Sequence, residues 1–361
     1  MTDRTEPRRA QVGDGRDGEG REGMSLIQGD SQPLLSIRGL KVEFDVPGGR
    51  LPAVGGIDLD LGHGEVLALV GESGSGKSAL AMSLVGLNRG PRTHISGVAA
   101  LNGQDLVAKS EDQLRKVRGK DIAVVFQDAL AALNPTQKVG TQIAEMIRTH
   151  QRVTRKRAWE RAVELLREVG IANPEQRAKT YPHQLSGGMR QRVMIAIGLA
   201  NEPAVLIADE PTTALDVTIQ AQVLRLLKRL QTDHGTTVVL ITHDLGVVAE
   251  VADRVAVMYA GRIVEQGTRD QVLFAPQHPY TRALLSSVPR IDGPAQERLP
   301  AIAGSPLSGV DRPSGCAFAP RCTFAHDACN SAQPALIHRY GMPGQLDACV
   351  LGPDREKVAV S

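Results

Sequence analysis

The chain has 361 residues, 42% of them hydrophobic and 23% charged, enough for a sizeable core in one large or two modest domains. A formal net charge of +2 argues against the basic field that nucleic acid requires, and no apolar run approaches the roughly 18 residues that cross a bilayer. The opening residues lack the charged-then-apolar pattern of a secretory signal, so a cytoplasmic compartment is expected, where the four cysteines read as metal ligands or free thiols rather than disulfides.

Residues 1–33 are rich in Gly, Arg, Asp and Glu, have almost nothing to bury and read as disordered. Met24 opens a less biased stretch and is an alternative start to Met1. From Leu34 the pattern changes: residues 34–37 and 40–44 partly alternate as strands do, and Pro47-Gly48-Gly49 predicts a turn. Residues 66–70 are a continuous apolar run, as a buried strand is, and Gly71-Glu72-Ser73-Gly74-Ser75-Gly76-Lys77-Ser78 follows directly.

That octet matches G-x-x-x-x-G-K-[ST], placed after a strand and before a helical stretch at 79–87. Its glycines let backbone N–H groups turn inward around phosphates, and the helix N-terminus adds a positive dipole. In such a loop Lys77 reaches the β- and γ-phosphates and the Ser78 hydroxyl ligates Mg²⁺. A glycine-rich turn before an ordinary helix is the competing reading, and the flanking strand and helix weigh against it.

The apolar run 122–126 ends in Gln127, and the chain then turns helical between 128 and 184. Ala158, Ala162, Leu165, Leu166 and Val169 recur at helical spacing, with Gly170 as a stop. This stretch reads as a helical subdomain grafted onto an α/β core, and Leu185-Ser186-Gly187-Gly188 follows it. Val205-Leu206-Ile207-Ala208-Asp209-Glu210 is a buried strand ending in two acids. Asp209 suits a magnesium shell, and Glu210 suits the orientation and deprotonation of an attacking water, a contribution of roughly 10²–10⁴ in rate.

Helical spacing at 219–230, between strand runs at 204–208, 237–242 and 254–259, predicts a mostly parallel sheet. His243 follows one of these runs, where it would face the γ-phosphate and the water; Gln127 would touch Mg²⁺ and the helical insert. Phe44, the one aromatic before the loop, is the candidate to stack on adenine, with a half-buried strand phenylalanine as the competing reading.

In order, residues 71–78, Gln127, Leu185-Ser186-Gly187-Gly188, Asp209-Glu210, Ala214-Leu215-Asp216 and His243 resemble the ATPase subunit of an ABC transporter over residues 34–285. The fold so implied is α/β: a P-loop, ABC-type nucleotide-binding domain with a helical subdomain at about 128–184. Tyr181-Pro182-His183-Gln184 and the run from Ala208-Asp209-Glu210-Pro211 to Val217-Thr218 resemble the peptide-permease branch. Met189 resembles its D-type subunit, whose F-type partner usually carries glutamine there. Ala129 departs from the branch, where proline commonly follows Gln-Asp, and this loosens the expected turn after Gln127.

The resemblance implies ATP and Mg²⁺ as cofactors, with Ser186, Gly187 and Gly188 closing over a nucleotide held by a partner domain. It implies a second ATPase subunit of the F-type and two membrane permease subunits, docked through the helical insert at the cytoplasmic face of the cell membrane. An extracytoplasmic peptide-binding protein would be an indirect partner, and nucleic acid none. The implied function is ATP hydrolysis that energises import of di- and oligopeptides. Import of nickel or another small solute is an alternative. A soluble ABC ATPase acting on nucleic acid or ribosomes is an alternative of another class, disfavoured by a single ATPase domain and near-neutral charge.

Residues 286–361 read as a linker, at 288–312, and a small terminal module, at 313–361, that holds Cys316, Cys322, Cys329 and Cys349. The spacing C-x₅-C-x₆-C-x₁₉-C matches neither a zinc ribbon nor a standard ferredoxin run, yet one shared metal centre is expected. Gly315-Cys316-Ala317-Phe318-Ala319-Pro320-Arg321-Cys322, with His278-Pro279-Tyr280-Thr281 upstream, resembles the C-terminal extension of dipeptide and oligopeptide permease ATPases. There the four cysteines are associated with a [4Fe–4S] cluster; structural zinc and simple buried thiols are the alternatives. A structural role, tying down a tail poor in apolar residues, is expected rather than electron transfer.

Overall fold

The computed structural model describes residues 32–213, 215–287, 302–307, 309–310, 312–338 and 342–351. Met1, Met24, nearly all of the expected tail 1–33, much of the expected linker 288–312 and Ala214 lie outside these residues.

Strands β1 (Leu35–Val46) and β2 (Gly49–Leu61) form an antiparallel pair around the predicted turn at Pro47 and Gly48. β3 (Val66–Val70) is buried along its whole length, and α1 (Lys77–Leu84) leaves it through the glycine-rich loop. β4 (Thr93–Leu101) returns beside β1 and pairs with the short β5 (Gln104–Asp105), giving a four-stranded sheet in the order β2-β1-β4-β5. The sequence pattern does not announce this second sheet. Its strands are partly exposed, and β1 slips register between Ile37 and Leu40 around Gly39, whose φ is 57°.

Helix α2 (Glu111–Val117), opened by a full Ser110–Gln113 capping box, leads to β6 (Ile122–Val125). Then come α3 (Ala129–Ala132), α4 (Val139–His150), α5 (Arg155–Glu168), α6 (Pro174–Arg177) and α7 (Gly187–Leu199). α4 buries Val139, Ile143 and Ile147, and α5 buries Ala158, Ala162, Leu165 and Leu166, so each turns one stripe inward. These stripes share a cluster with Val193 and Ile195 of α7, where each Leu or Ile contributes about 1.5–3 kcal/mol relative to exposure. Gly170, at φ 76°, ends α5.

The rest of the core alternates: β7 (Val205–Asp209), α8 (Val217–His234), β8 (Thr237–Thr242), α9 (Leu245–Val251) and β9 (Arg254–Tyr259). β10 (Arg262–Thr268), α10 (Arg269–Phe274) and α11 (Pro279–Ser286) follow, and α12 (Ala328–Ser331), β11 (Ile337–His338) and β12 (Leu346–Asp347) belong to the C-terminal region. The main sheet runs β11-β12-β10-β9-β3-β8-β7-β6. β9, β3, β8, β7 and β6 are parallel, whereas β10, β12 and β11 form an antiparallel edge.

In its described residues the C-terminal region does not stand apart as a detached module. β12 pairs with β10, because the outer edge of β10 would otherwise leave backbone groups unpaired. A buried carboxylate fastens the same junction: Glu265 accepts from the N–H of Gln277 (2.6 Å), the N–H of His278 (2.8 Å) and Nε2 of Gln345 (2.8 Å).

Candidate active site

Strand pairing brings residues distant in sequence to one edge of the sheet. Val70 lies opposite Thr242, Asp209 opposite Ile241 and Val125 opposite Ala208. Gly71, His243, Glu210 and Gln127 therefore sit within two residues of the C-terminal ends of the neighbouring strands β3, β8, β7 and β6. Open α/β sheets place their sites at this edge.

Two loop glycines have no room for a side chain. A Cβ on Gly71 would meet the Met258 carbonyl at 2.1 Å, and one on Gly76, at φ 102°, would meet the Ala53 carbonyl at 2.2 Å. Gly74 and Ser73 lie exposed at the loop tip. Lys77 is buried, and its Nζ donates to the carbonyls of Gly71 (2.8 Å) and Glu72 (2.9 Å) and to the Ser75 hydroxyl (3.3 Å). Burial lowers its pKa, opposed by the charges of Glu210, Asp209 and Glu72. An ammonium held by loop oxygens in this way can exchange them for phosphate oxygens.

Burial raises the pKa of Asp209, and a hydrogen bond from Ser78 opposes the rise. Its Oδ1 is buried without a hydrogen-bond partner. A buried, donor-free carboxylate oxygen beside a serine hydroxyl is a ligand set that suits a hard cation such as Mg²⁺.

Glu210 has φ 45°, uncommon outside glycine, and its N–H donates to the Ile241 carbonyl at 2.9 Å. Both carboxylate oxygens are engaged. Gln127 Nε2 (3.1 Å) and Thr213 Oγ1 (2.9 Å) donate to Oε2, while His243 Nδ1 lies 3.2 Å from Oε1. The side chain keeps 19% of its surface open, enough for a water to reach it. Thr213 is a partner that sequence reasoning missed, although it stands three residues after Glu210 in the Pro211-Thr212-Thr213 turn.

Other expected residues lie elsewhere. Ser186 caps α7, accepting from the Met189 N–H at 3.4 Å, and a Cβ on Gly188 would meet Ile219 of α8 at 2.6 Å. Among the described residues no hydrogen bond or ion pair joins Ser186, Gly187 or Gly188 to residues 71–78 of the same chain. Phe44 is half-buried in β1, paired with Leu51 and Thr93 against the apolar cluster beneath the N-terminal sheet. The turn at Ala129 is not loose. Asp128 caps α3 by accepting from the N–H groups of Leu130 (2.8 Å) and Ala131 (3.1 Å), so no proline is needed to stiffen it.

Glu72 reaches toward the C-terminal region, which sequence reasoning did not anticipate. Its N–H donates to Tyr280 Oη at 2.9 Å, and Arg321 donates to its two carboxylate oxygens at 2.6 and 3.0 Å. Close by, Cys316, Cys322, Cys329 and Cys349 line one small cavity, walled by Phe318, Phe324 and Pro334. None of the four forms a disulfide. Burial raises the pKa of the Cys316 thiol and pushes that of Cys322 up to about 11. Among the described residues, no three Cys, His, Asp or Glu side chains gather around a single-ion site.

Two family models match the chain: ABC transporter, over residues 54–213, and oligopeptide/dipeptide transporter, C-terminal region, over residues 264–329. The oligopeptide transport ATP-binding protein OppD of Bacillus subtilis is 48% identical over 326 residues, covering 90% of this chain and 91% of its own. The dipeptide transport ATP-binding protein DppD of the same species is 48% identical over 309 residues, covering 85% and 92%. Among solved structures, the dimeric form of a bacterial ABC transporter cassette aligns with a TM-score of 0.59 at 28% identity, over 65% of this chain and 98% of that one.

Proposed function

The chain belongs to the family of ATP-binding subunits of oligopeptide and dipeptide ABC transporters, and on that premise we propose that it hydrolyses ATP to energise the import of di- and oligopeptides. One observation carries the chemistry. Gln127, Thr213 and His243 converge on the Glu210 carboxylate at the strand edge from which Lys77 and Ser78 emerge.

In this reading Lys77 and the loop N–H groups bind the β- and γ-phosphates. Ser78, Asp209 and Gln127 would hold Mg²⁺, which offsets charge on the phosphate oxygens when bound. Glu210 orients the attacking water and takes its proton, while Gln127 and Thr213 hold its Oε2. His243 braces Oε1 and faces the γ-phosphate. Phe44 offers its open face to adenine.

Ser186, Gly187 and Gly188 have no hydrogen bond to their own phosphate loop, so we assign them to a nucleotide held by a second ATPase subunit, of the F-type. Residues 34–285 serve as the ATPase domain, and the helical stretch at about 128–184 docks on two membrane permease subunits at the cytoplasmic face. Closing on ATP and opening after hydrolysis supply the two states that transport needs.

Cys316, Cys322, Cys329 and Cys349 are the residues that would hold a [4Fe–4S] cluster, whose bonds would tie four points of the tail together. That all four cysteines line one cavity supports a shared group there, with structural zinc as the alternative. Iron and acid-labile sulfide after anaerobic purification test this assignment; one equivalent of zinc without sulfide refutes it.

The match over residues 264–329 supports peptide cargo rather than nickel. Uptake of labelled di-, tri- and longer peptides, beside nickel, in cells carrying Glu210→Gln tests the function. Loss of peptide uptake alone is expected. Loss of nickel uptake with peptide uptake intact overturns the cargo assignment.

A further inference from the structure

The phosphate loop is gripped from outside by the C-terminal region. Every polar group of Glu72 is engaged: the N–H with Tyr280, the carbonyl with Lys77, and the carboxylate with Arg321. Arg321 ends the turn Ala319–Arg321, directly before Cys322, and stands 249 residues from Glu72 in sequence.

Its side chain is 5% exposed, and its guanidinium has an acceptor for each of its five N–H groups. Besides Glu72, these are the Ala303 carbonyl (2.9 Å), the Ile302 carbonyl (3.4 Å) and the Tyr259 hydroxyl (3.4 Å). The rings of Tyr259 and Phe318 flank it, with centroids 5.8 and 6.0 Å away. A group fixed on so many sides does not follow the loop; the loop carboxylate comes to it.

A carboxylate in a phosphate-binding loop is a liability. Lys77 Nζ already donates to the Glu72 carbonyl at 2.9 Å, so the Glu72 carboxylate, were it released from Arg321, would be near enough to compete with phosphate for that ammonium. Buried ion pairs contribute little to stability against an apolar replacement, so placement of the carboxylate is the stronger reason for this one.

We propose that Arg321 is a positioning residue for nucleotide binding: it draws the Glu72 carboxylate away from Lys77 and keeps that ammonium available to phosphate. The inference rests on the ATPase reading above. It makes the turn beside Cys322 part of the nucleotide site. By linkage, a change in the cysteine cavity that moves this turn alters nucleotide affinity, and nucleotide acts back on the cavity by the same factor.

The test is equilibrium binding of a fluorescent ATP analogue with Mg²⁺ to the full chain, as wild type, Arg321→Met and Arg321→Met with Glu72→Gln. Arg321→Met is expected to weaken binding about tenfold. Adding Glu72→Gln is expected to recover most of that loss, since an amide does not compete for Lys77. Were Arg321 only a structural tie, the double variant would bind as weakly as the single one. That result, or unchanged binding by folded Arg321→Met, overturns the proposal. Should Arg321→Met melt below the assay temperature, Arg321→Lys keeps the charge without the two-point grip; a smaller loss, again recovered by Glu72→Gln, is then expected, and no recovery refutes. Wild-type protein that binds no nucleotide overturns the ATPase reading instead.

Discussion

Replacing Glu210 by Gln exchanges one oxygen for an NH₂ group with almost no change of shape. The carboxylate Oε2 accepts from both Gln127 and Thr213, so an amide oxygen placed there keeps both bonds. The NH₂ then faces His243 Nδ1, which accepts when the ring carries its proton on Nε2. All three contacts survive, and stability should shift by no more than about 0.5 kcal/mol. Basicity is what the substitution removes. A general base contributes roughly 10²–10⁴ in rate, or about 3–5 kcal/mol on the barrier. Steady-state ATP hydrolysis by the assembled transporter should fall by that factor, while nucleotide binding persists and the closed ATPase pair accumulates. Turnover within tenfold of wild type, in protein that melts normally, would refute Glu210 as the base.

Lys77→Ala should remove about 3 kcal/mol or more of charge stabilisation, read as a turnover loss above a hundredfold together with weaker nucleotide binding; unchanged binding and turnover rule that role out. Glu265→Gln must aim an NH₂ at an N–H donor, because Oε1 accepts from Gln277 and Gln345 and Oε2 from His278. A cost of about 1–3 kcal/mol in urea unfolding is expected, and none at all would contradict the clamp. With its pKa pushed up to about 11, Cys322 in metal-free protein should react with iodoacetamide near pH 8 about a hundredfold more slowly than in the unfolded chain. The fold favours the neutral thiol, so this contribution to stability is complete below about pH 9 and disappears as pH rises through about 11. Equal alkylation rates in folded and unfolded protein would show that burial does not hold the proton.

The strand-edge cluster was legible because each of its members sits in a short motif beside a buried apolar run. Gln127, Asp209, Glu210 and His243 each stand at or just beyond the end of such a run, and parallel pairing of β6, β7, β8 and β3 places those ends side by side. Glu72 was legible as a loop residue, but its partner was not. Nothing in the pattern around Arg321 points to a carboxylate 249 residues away, since side-chain pairing between loops has no period. The same holds for Gln345 reaching Glu265. Of the N-terminal sheet only the first strand and its turn were legible, and β2, β4 and β5 were not. The strands of this sheet are partly exposed and break register at Gly39, which blurs the alternation that marks a strand.

β12 contributes two residues to the main sheet, yet they cover the outer flank of β10. Beyond it lies β11, also two residues long, which offers a stray chain very little to zip onto. A protein trimmed back to α11 would bare the flank of β10 at Glu265 and Gln266 and remove Gln345 from Glu265. Backbone groups opened there are a template for pairing with another chain, so the tail closes an edge that would otherwise stay adhesive.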